Sequence, residues 1–240
     1  MLKIPFVTAG FPEPAKFWDV LAELQDNGAD IIEIGVPFSD PVADGPVIED
    51  ASRRALADGV TLRWILDGLR QRKGAFTARI VLMGYMNPFL RHGFEALAEE
   101  AAELGVYGFI IPDLPLGEAA PYRAIFAARG VHLIPLVAIN TPPERLKAYA
   151  EVSTGYVYLV SVLGTTGERA AGFPPELAAV IRETRRHFKI PVALGFGFSH
   201  ASQLAAIPAA DQPDGIIFGS ALLRHIAAGG SAAEFMRGFI

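Results

Sequence analysis

The chain alternates between short apolar runs and longer amphipathic stretches, and this unit repeats eight times. The apolar runs carry few polar positions, which is typical of strands buried on both faces of a parallel sheet. We expect these strands near residues 4–9, 30–36, 79–85, 108–112, 132–138, 156–162, 191–196 and 215–219. Amphipathic periodicity between them predicts helices over Pro14–Asn27, Phe94–Leu104, Glu118–Arg129, Pro143–Val152 and Pro174–Phe188.

Eight strand–helix units in 240 residues favour a closed (β/α)8 barrel of the α/β class over an open doubly wound sheet. An open sheet usually carries a glycine-rich dinucleotide fingerprint after its first strand, and the turn after Thr8 has none. No composition shift or long linker divides the chain. The sequence therefore predicts one barrel domain over residues 1–240.

Composition excludes several classes of function. The 21 Lys and Arg against 26 Asp and Glu give a net charge of −5 with no long single-sign run, which argues against nucleic-acid binding. Without cysteine there is no disulfide, thiolate nucleophile or Cys-ligated metal, and the five histidines lack metal-ligand spacing. No apolar run approaches the ~18 residues of a membrane span, and the N-terminus lacks a signal-peptide pattern. We expect a cytoplasmic protein with no membrane partner and no bound metal.

The segment from Ile31 to Pro46 places two carboxylates around one predicted strand. Because strand side chains alternate, Glu33 points away from the flanking isoleucines and into the interior if helices cover the isoleucine face. Two interpretations stay open for Glu33. It is either a strand-end carboxylate bonded to backbone amides, or it forms a general acid/base pair with Asp44, eleven residues further on.

Glycine-rich turns follow the predicted strands of units seven and eight, in Leu194-Gly-Phe-Gly-Phe-Ser and Ile217-Phe-Gly-Ser-Ala. Glycine lets backbone amides approach an anion closely, and barrel enzymes often bind phosphate in these two loops. The aperiodic stretch of residues 161–173 contains three glycines. It is either an ordinary surface loop or a lid that closes over substrate.

Several sequence motifs follow one another along nearly the whole chain. The most specific is the Glu-x-Gly-x-Pro-Phe-Ser-Asp-Pro-x-Ala-Asp-Gly-Pro run from Glu33 to Pro46. The others are Pro5-Phe-Val-Thr-Ala-Gly, Leu82-Met-Gly-Tyr-Met-Asn, Pro112-Asp-Leu-Pro, Gly155-Tyr-Val-Tyr, Gly164-Thr-Thr-Gly, Gly195-Phe-Gly-Phe-Ser and Gly219-Ser-Ala. In this order the motifs resemble those of the tryptophan synthase α subunit family.

The resemblance implies a (β/α)8 barrel that cleaves indole-3-glycerol phosphate to indole and glyceraldehyde 3-phosphate by a retro-aldol reaction. Glu33 would protonate indole C3 and take the proton of the glyceryl hydroxyl, while Asp44 would accept the indole N–H and stabilise the cationic ring. Such a cleavage needs these proton transfers and a counter-charge. The resemblance implies no cofactor in this chain.

Other site residues follow from the same resemblance. Phe6, Met83 and Tyr85 would line the indole pocket, Tyr158 would lie beside Glu33, and Thr166 in the lid would meet Asp44 on closure. The phosphate would bind the backbone amides of Gly167, Gly197 and Gly219 and the hydroxyl of Ser220.

The resemblance also implies a partner, a pyridoxal-phosphate-dependent β subunit in an α2β2 heterotetramer, with that cofactor only in the partner. The loop between Glu33 and Asp44 suits a docking surface, because its prolines stiffen it and Phe38 offers an apolar anchor. The interface residues would be Pro37, Phe38, Asp40 and Pro41.

Two departures from the family pattern stand out. Members usually carry a short helix before the first strand, and here strand one begins almost at Met1, so we expect a barrel without that capping helix. Val162 and Leu163 occupy lid positions where polar or basic residues are common.

Three alternatives remain open: a stand-alone indole-glycerol-phosphate lyase, a non-catalytic barrel subunit, and another phosphate-binding barrel that uses a Lys or paired Asp. Against the last, Lys3 and Lys189 are expected just outside the strands.

Overall fold

The computed structural model describes residues 1–161, 176–195 and 201–239, and within these ranges strands and helices alternate along the chain. The strands are β1 (Leu2–Thr8), β2 (Ile31–Gly35), β3 (Arg79–Met83), β4 (Val106–Ile110), β5 (His132–Leu133), β6 (Leu136–Ala138), β7 (Val157–Val160), β8 (Val192–Gly195) and β9 (Gly215–Phe218). The helices are α1 (Pro14–Asp26), α2 (Pro46–Ala57), α3 (Leu62–Gln71), α4 (Met86–His92), α5 (Phe94–Leu104), α6 (Ala120–Ala127), α7 (Pro143–Ala150), α8 (Leu177–His187), α9 (Ser220–Ala227) and α10 (Ala232–Phe239).

The strands form one parallel sheet in the order β5-β4-β3-β2-β1-β9-β8-β7-β6, which closes on itself. Its two end strands, β5 and β6, are the two halves of the predicted fifth strand. The Ile134 amide donates to the Phe109 carbonyl of β4 at 2.8 Å, and the Pro135 carbonyl accepts from the Tyr158 amide of β7 at 3.0 Å. The ring therefore closes through the Ile134–Pro135 segment, and the predicted (β/α)8 barrel is confirmed.

Pro135 explains why the fifth strand is divided. Proline has no backbone N–H and interrupts a ladder of hydrogen bonds. The other predicted strands are confirmed, with ends that differ by at most two residues where the chain turns into a loop.

Lys3 was expected just outside the first strand, and the observed start of β1 corrects this prediction. Lys3 lies inside β1, because that strand begins at Leu2 and not at residue 4. Lys3 pairs with Ile216 at the start of the strand, and its ammonium group lies near Gly28, outside the barrel. It therefore lies far from the C-terminal ends of the strands, where barrel enzymes carry out their chemistry.

The helix predictions agree with the structure best for α5. Helix α5 has the predicted bounds and ends at Gly105, whose φ of +73° is the left-handed conformation that glycine adopts without strain. Helix α6 is shorter than predicted because residues 115–118 form a turn closed by the Glu118 amide and the Pro115 carbonyl. Pro174, the predicted start of the helix of the sixth unit, lies outside the described residues.

The strand register decides which side chains enter the barrel. Phe6 of β1 pairs with Glu33 of β2, and Glu33 pairs in turn with Val81 of β3, so these side chains share the inner face. Glu33 is 0% exposed, as its predicted inward orientation requires. None of the helices in the described part of the chain is long and apolar enough to cross a lipid bilayer.

Candidate active site

Glu33 lies in the middle of β2 with its carboxyl group inside the barrel. Tyr156 donates a hydrogen bond from its hydroxyl to Glu33 Oε1 at 2.5 Å, and Oε2 has no partner among the described residues. Burial raises the pKa of Glu33 to about 8, although the Tyr156 hydrogen bond lowers it. Glu33 is thus a protonated acid near neutral pH, and within the described part of the chain it is held by a side chain and not by backbone amides.

Tyr156 is a site residue that the sequence analysis missed. It is buried immediately before β7, and its contact with Glu33 spans 123 residues of sequence. Strand β7 lies opposite β2 in the ring, so Tyr156 reaches Glu33 across the interior. The alternation of Tyr156 and Tyr158 in Gly155-Tyr-Val-Tyr was the available signal, because residues two apart on a strand share a face.

Asp44 lies in the loop between β2 and α2, half-buried near the mouth of the barrel. Burial raises its pKa to about 6, a hydrogen bond from the Tyr85 hydroxyl lowers it, and the nearby charge of Glu49 raises it. The same hydroxyl accepts a hydrogen bond from the Ala43 amide at 3.0 Å. Asp44 is therefore mostly ionised at neutral pH, when Glu33 is mostly protonated.

Tyr85 is held by contacts on both sides. The Asp113 carboxylate accepts from the next amide, that of Met86, at 2.9 and 3.2 Å, and so binds the first turn of α4. On the other side, the ring of Phe38 stacks on the ring of Tyr85 with centroids 5.2 Å apart and an interplanar angle of 28°. Asp113 belongs to the motif Pro112-Asp-Leu-Pro, from which its contact with α4 does not follow.

Two glycines make room for the aromatic side chains that face the interior. A Cβ at Gly35 would collide with the Phe6 ring, and one at Gly195 would collide with the Tyr158 ring. Burial raises the pKa of Tyr158, and the charges of Glu33 and Asp44 raise it further, which places this ring near both carboxyl groups. Of the remaining substrate residues, Phe6, Met83 and Tyr85 are all buried.

The predicted phosphate site is described in part. Gly219 precedes α9, and a Cβ there would lie 2.9 Å from Phe6 Cδ1, so this turn borders the aromatic pocket. Ser220 is the first residue of α9, where free backbone amides favour an anion. Thr166, Gly167, Gly197 and the lid residues Val162 and Leu163 lie outside the described residues.

The predicted docking loop runs along the mouth of the barrel. Pro37 is buried, while Phe38 and Pro41 are half-buried. Asp40 is exposed and accepts a hydrogen bond from the Ser39 hydroxyl. Val42, 78% exposed, adds an apolar surface that the sequence analysis did not single out.

Within residues 1–161, 176–195 and 201–239, no group of three or more His, Asp or Glu side chains is placed to hold a metal ion. The described residues form a site with two carboxyl groups, one inside the barrel and one at its mouth. The pKa of the first lies above 7 and the pKa of the second lies below 7. A closed parallel barrel with such a pair belongs to the acid–base enzymes of the (β/α)8 class.

Comparison with known proteins identifies the family. The family model described as tryptophan synthase alpha chain matches residues 2–237. The chain belongs to the tryptophan synthase alpha chain family. It is a lyase of tryptophan biosynthesis that catalyses the α reaction, so the predicted family and class of enzyme are confirmed.

Individual relatives agree over most of their length. The tryptophan synthase alpha chain of Nitratidesulfovibrio vulgaris strain DP4 is 59% identical over 234 residues, which cover 98% of this chain and 90% of the relative. That of Desulfovibrio desulfuricans is 58% identical, with 97% and 91% covered. A solved structure of Mycobacterium tuberculosis tryptophan synthase aligns with a TM-score of 0.88 at 34% identity, covering 99% of this chain and 92% of the other. A tryptophan synthase complex from Pyrococcus furiosus aligns with a TM-score of 0.87 at 34% identity, with 99% and 95% covered.

Proposed function

We propose that Glu33 and Asp44 have different roles in the cleavage of indole-3-glycerol phosphate. Glu33 is the general acid and base that transfers the protons, and Asp44 supplies a fixed negative charge. One observation carries this assignment: burial raises both pKa values, but to about 8 for Glu33 and only about 6 for Asp44. Between these values the first group is an acid and the second an anion, which is the division that the cleavage needs.

The proposed reaction starts with Glu33 protonated. Oε2, the oxygen without a partner among the described residues, gives the proton to indole C3, and the ring becomes a cation whose N–H is held by the Asp44 carboxylate. The Glu33 carboxylate then takes the proton of the hydroxyl on the adjacent glyceryl carbon. The C–C bond breaks, its electron pair restores the aromatic ring, and the hydroxyl carbon becomes the aldehyde of glyceraldehyde 3-phosphate. Glu33 ends protonated, so the proton balance closes.

The described pocket supports an indole ring as substrate. Phe6, Met83 and Tyr158 offer a buried apolar surface next to Glu33, and Tyr85 sets the position of Asp44. The phosphate is assigned to the amides of Gly167, Gly197 and Gly219 and to the Ser220 hydroxyl. Gly219 supports this assignment because it borders the pocket at the start of α9. Thr166 as a lid contact of Asp44 stays a prediction.

A tryptophan synthase β subunit is the proposed partner, in an α2β2 heterotetramer that holds pyridoxal phosphate only in the β subunit. A structural relative from Pyrococcus furiosus is a tryptophan synthase complex, which supports a partner of this kind. The exposed surface of Asp40 and Val42 lies on the loop that joins the two carboxylates and is the proposed contact surface. The absence of a cofactor in this chain, the cytoplasmic location and the extent of one domain over residues 1–240 stay predictions.

An indole-release assay with indole-3-glycerol phosphate tests the assignment. Glu33→Gln removes the transferable proton, and a general acid/base group contributes ~10²–10⁴-fold, so we expect a loss of at least about a hundredfold. Glu103→Gln, on the exposed side of α5, is the matched control and should keep full activity. Activity of Glu33→Gln within about tenfold of wild type, with an unchanged unfolding midpoint, would exclude Glu33 as the acid.

A further inference from the structure

A cavity of about 130 Å³ lies between α6 and α7, over the divided fifth strand. Helix α6 packs against α5, and α7 packs against α8, but the space between α6 and α7 is left open. Three prolines in the wall, Pro112, Pro115 and Pro135, lack backbone N–H groups. The other apolar wall residues are Ile111, Leu114, Leu116, Ala119, Leu133, Ile134, Leu136 and Val152.

Among the described residues that line this cavity, Arg123 alone is charged. It lies on α6, is half-buried, and makes no ion pair or side-chain hydrogen bond with any residue that the structure describes. A guanidinium group partly removed from water without a partner is unfavourable, and none of the described lining residues offers a carboxylate to compensate it. The wall also contains Tyr149, whose hydroxyl lacks a partner in the same part of the chain, and Ser153, whose hydroxyl donates to the Tyr149 carbonyl at 2.6 Å.

We propose that this cavity is a second ligand site, which takes a small aromatic carboxylate with its ring among the apolar residues and its carboxylate on Arg123. The size fits one ring, because a dry cavity of ~150 Å³ in another protein takes benzene. The charge fits a carboxylate, since a guanidinium group binds its two oxygens in parallel. None of the described residues assigned to catalysis, substrate or phosphate lines this cavity, so the inference is independent of the proposed active site.

Calorimetry of the full chain with benzoate as the probe tests the proposal. We expect one site that binds benzoate and discriminates against benzyl alcohol, its uncharged counterpart. Arg123→Gln should weaken benzoate binding by at least about tenfold, because it removes a charge-assisted hydrogen bond. Arg129→Gln, an exposed arginine two residues after α6, is the matched control and should bind benzoate as wild type does. A second variant, Ala119→Leu, should fill the cavity and block binding while it leaves Arg123 in place.

Competition with glycerol 3-phosphate separates this site from the active site. Benzoate binding that persists in saturating glycerol 3-phosphate, and in Asp44→Asn, places the probe outside the barrel interior. The proposal is overturned if benzoate does not bind at millimolar concentration or if glycerol 3-phosphate displaces it. Equal affinities in wild type and a folded Arg123→Gln variant would overturn it as well.

Discussion

Tyr156 and Glu33 meet across the full width of the barrel, with the tyrosine hydroxyl 2.5 Å from Oε1 of the carboxyl group. This contact leaves Oε2 as the oxygen without a described partner. Because a carboxyl group carries its proton on one oxygen, the hydrogen bond to Oε1 favours the proton on Oε2. The tyrosine therefore selects which oxygen acts and moderates how far burial raises the pKa of Glu33.

Tyr156→Phe tests that role. The hydrogen bond from Tyr156 lowers the pKa of Glu33, so its loss should raise that pKa and move the alkaline limb of the pH–rate profile upward. We expect kcat to fall while KM changes little, because the hydroxyl contacts Glu33 and not the indole pocket. Tyr122→Phe, a half-buried tyrosine that packs on Phe94 outside the barrel, serves as the control. If the pH–rate profile of Tyr156→Phe had the same limbs as that of wild type, Tyr156 would contribute only packing.

The pH dependence of kcat/KM should be bell-shaped with limbs near the two pKa values. The rate should rise as Asp44 ionises around its pKa of about 6 and should fall as Glu33 loses its proton around its pKa of about 8. Asp44→Asn should remove the acid limb and lower kcat, since an amide accepts from the indole N–H without balancing a cationic ring. If KM rises instead and kcat holds, Asp44 only positions the substrate.

Stability should also report the Glu33 proton. Its pKa is raised from 4.5 to about 8 on folding, so between these values the folded state binds more protons than the unfolded state. The resulting stabilisation is complete below the unfolded pKa and is lost as pH rises through the folded pKa.

Glu33→Gln does not titrate, so the stability of wild type should fall relative to this variant from about pH 5 to about pH 9, by an amount on the order of several kcal/mol. Urea unfolding of both proteins at the two pH values measures the difference. If the difference in unfolding free energy between the two proteins were the same at both pH values, Glu33 would ionise in the folded state as it does in the unfolded state.

Phe38→Ala should weaken the coupling between the chain and its proposed β subunit. The ring of Phe38 stacks on Tyr85, whose hydroxyl holds Asp44, so a partner that moves the loop acts on the carboxylate through two contacts. We expect the wild-type chain to gain at least about tenfold in indole release when the β subunit is added, as binding energy is coupled to activity.

Phe38→Ala should need a higher concentration of β subunit than wild type to reach its maximal rate, and its gain in indole release should be smaller. Val42→Ala, on the same loop without a ring contact, separates surface loss from loss of the stack. A flat titration with wild type, at concentrations where gel filtration shows no complex, would favour a stand-alone lyase.

Ser220→Ala should weaken glycerol 3-phosphate binding by about tenfold, the effect of one hydrogen bond to a charged group. Calorimetry measures the change, with the exposed Ser39→Ala as the control. Gly219→Val should weaken binding further for an additional reason, because its side chain would press on Phe6 at the border of the indole pocket. Equal affinity in Ser220→Ala and wild type would place the phosphate elsewhere.

The sequence predicted the parts of the site that depend on local pattern. Alternation along one strand was enough to turn Glu33 inward, and the motif spacing put Asp44 in the following loop. The contacts that set their chemistry are long-range in sequence and were not predictable in this way. Tyr156 meets Glu33 only because the ring brings β7 opposite β2, and Asp113 reaches α4 only because β3 and β4 are neighbours. Pro135 shows a third case, since a proline inside an apolar run signals a break that periodicity alone does not locate.

The division of the fifth strand makes the ring two arcs joined at two seams. One arc runs from β1 to β5 and the other from β6 to β9, with the β1–β9 pairing at one seam and the Ile134–Pro135 peptide at the other. Glu33 lies on the first arc and Tyr156 on the second, so their hydrogen bond measures the alignment of the arcs. A small shift of one arc against the other would lengthen that bond and weaken the acid. The pKa of Glu33 therefore depends on how the two arcs of the barrel are aligned.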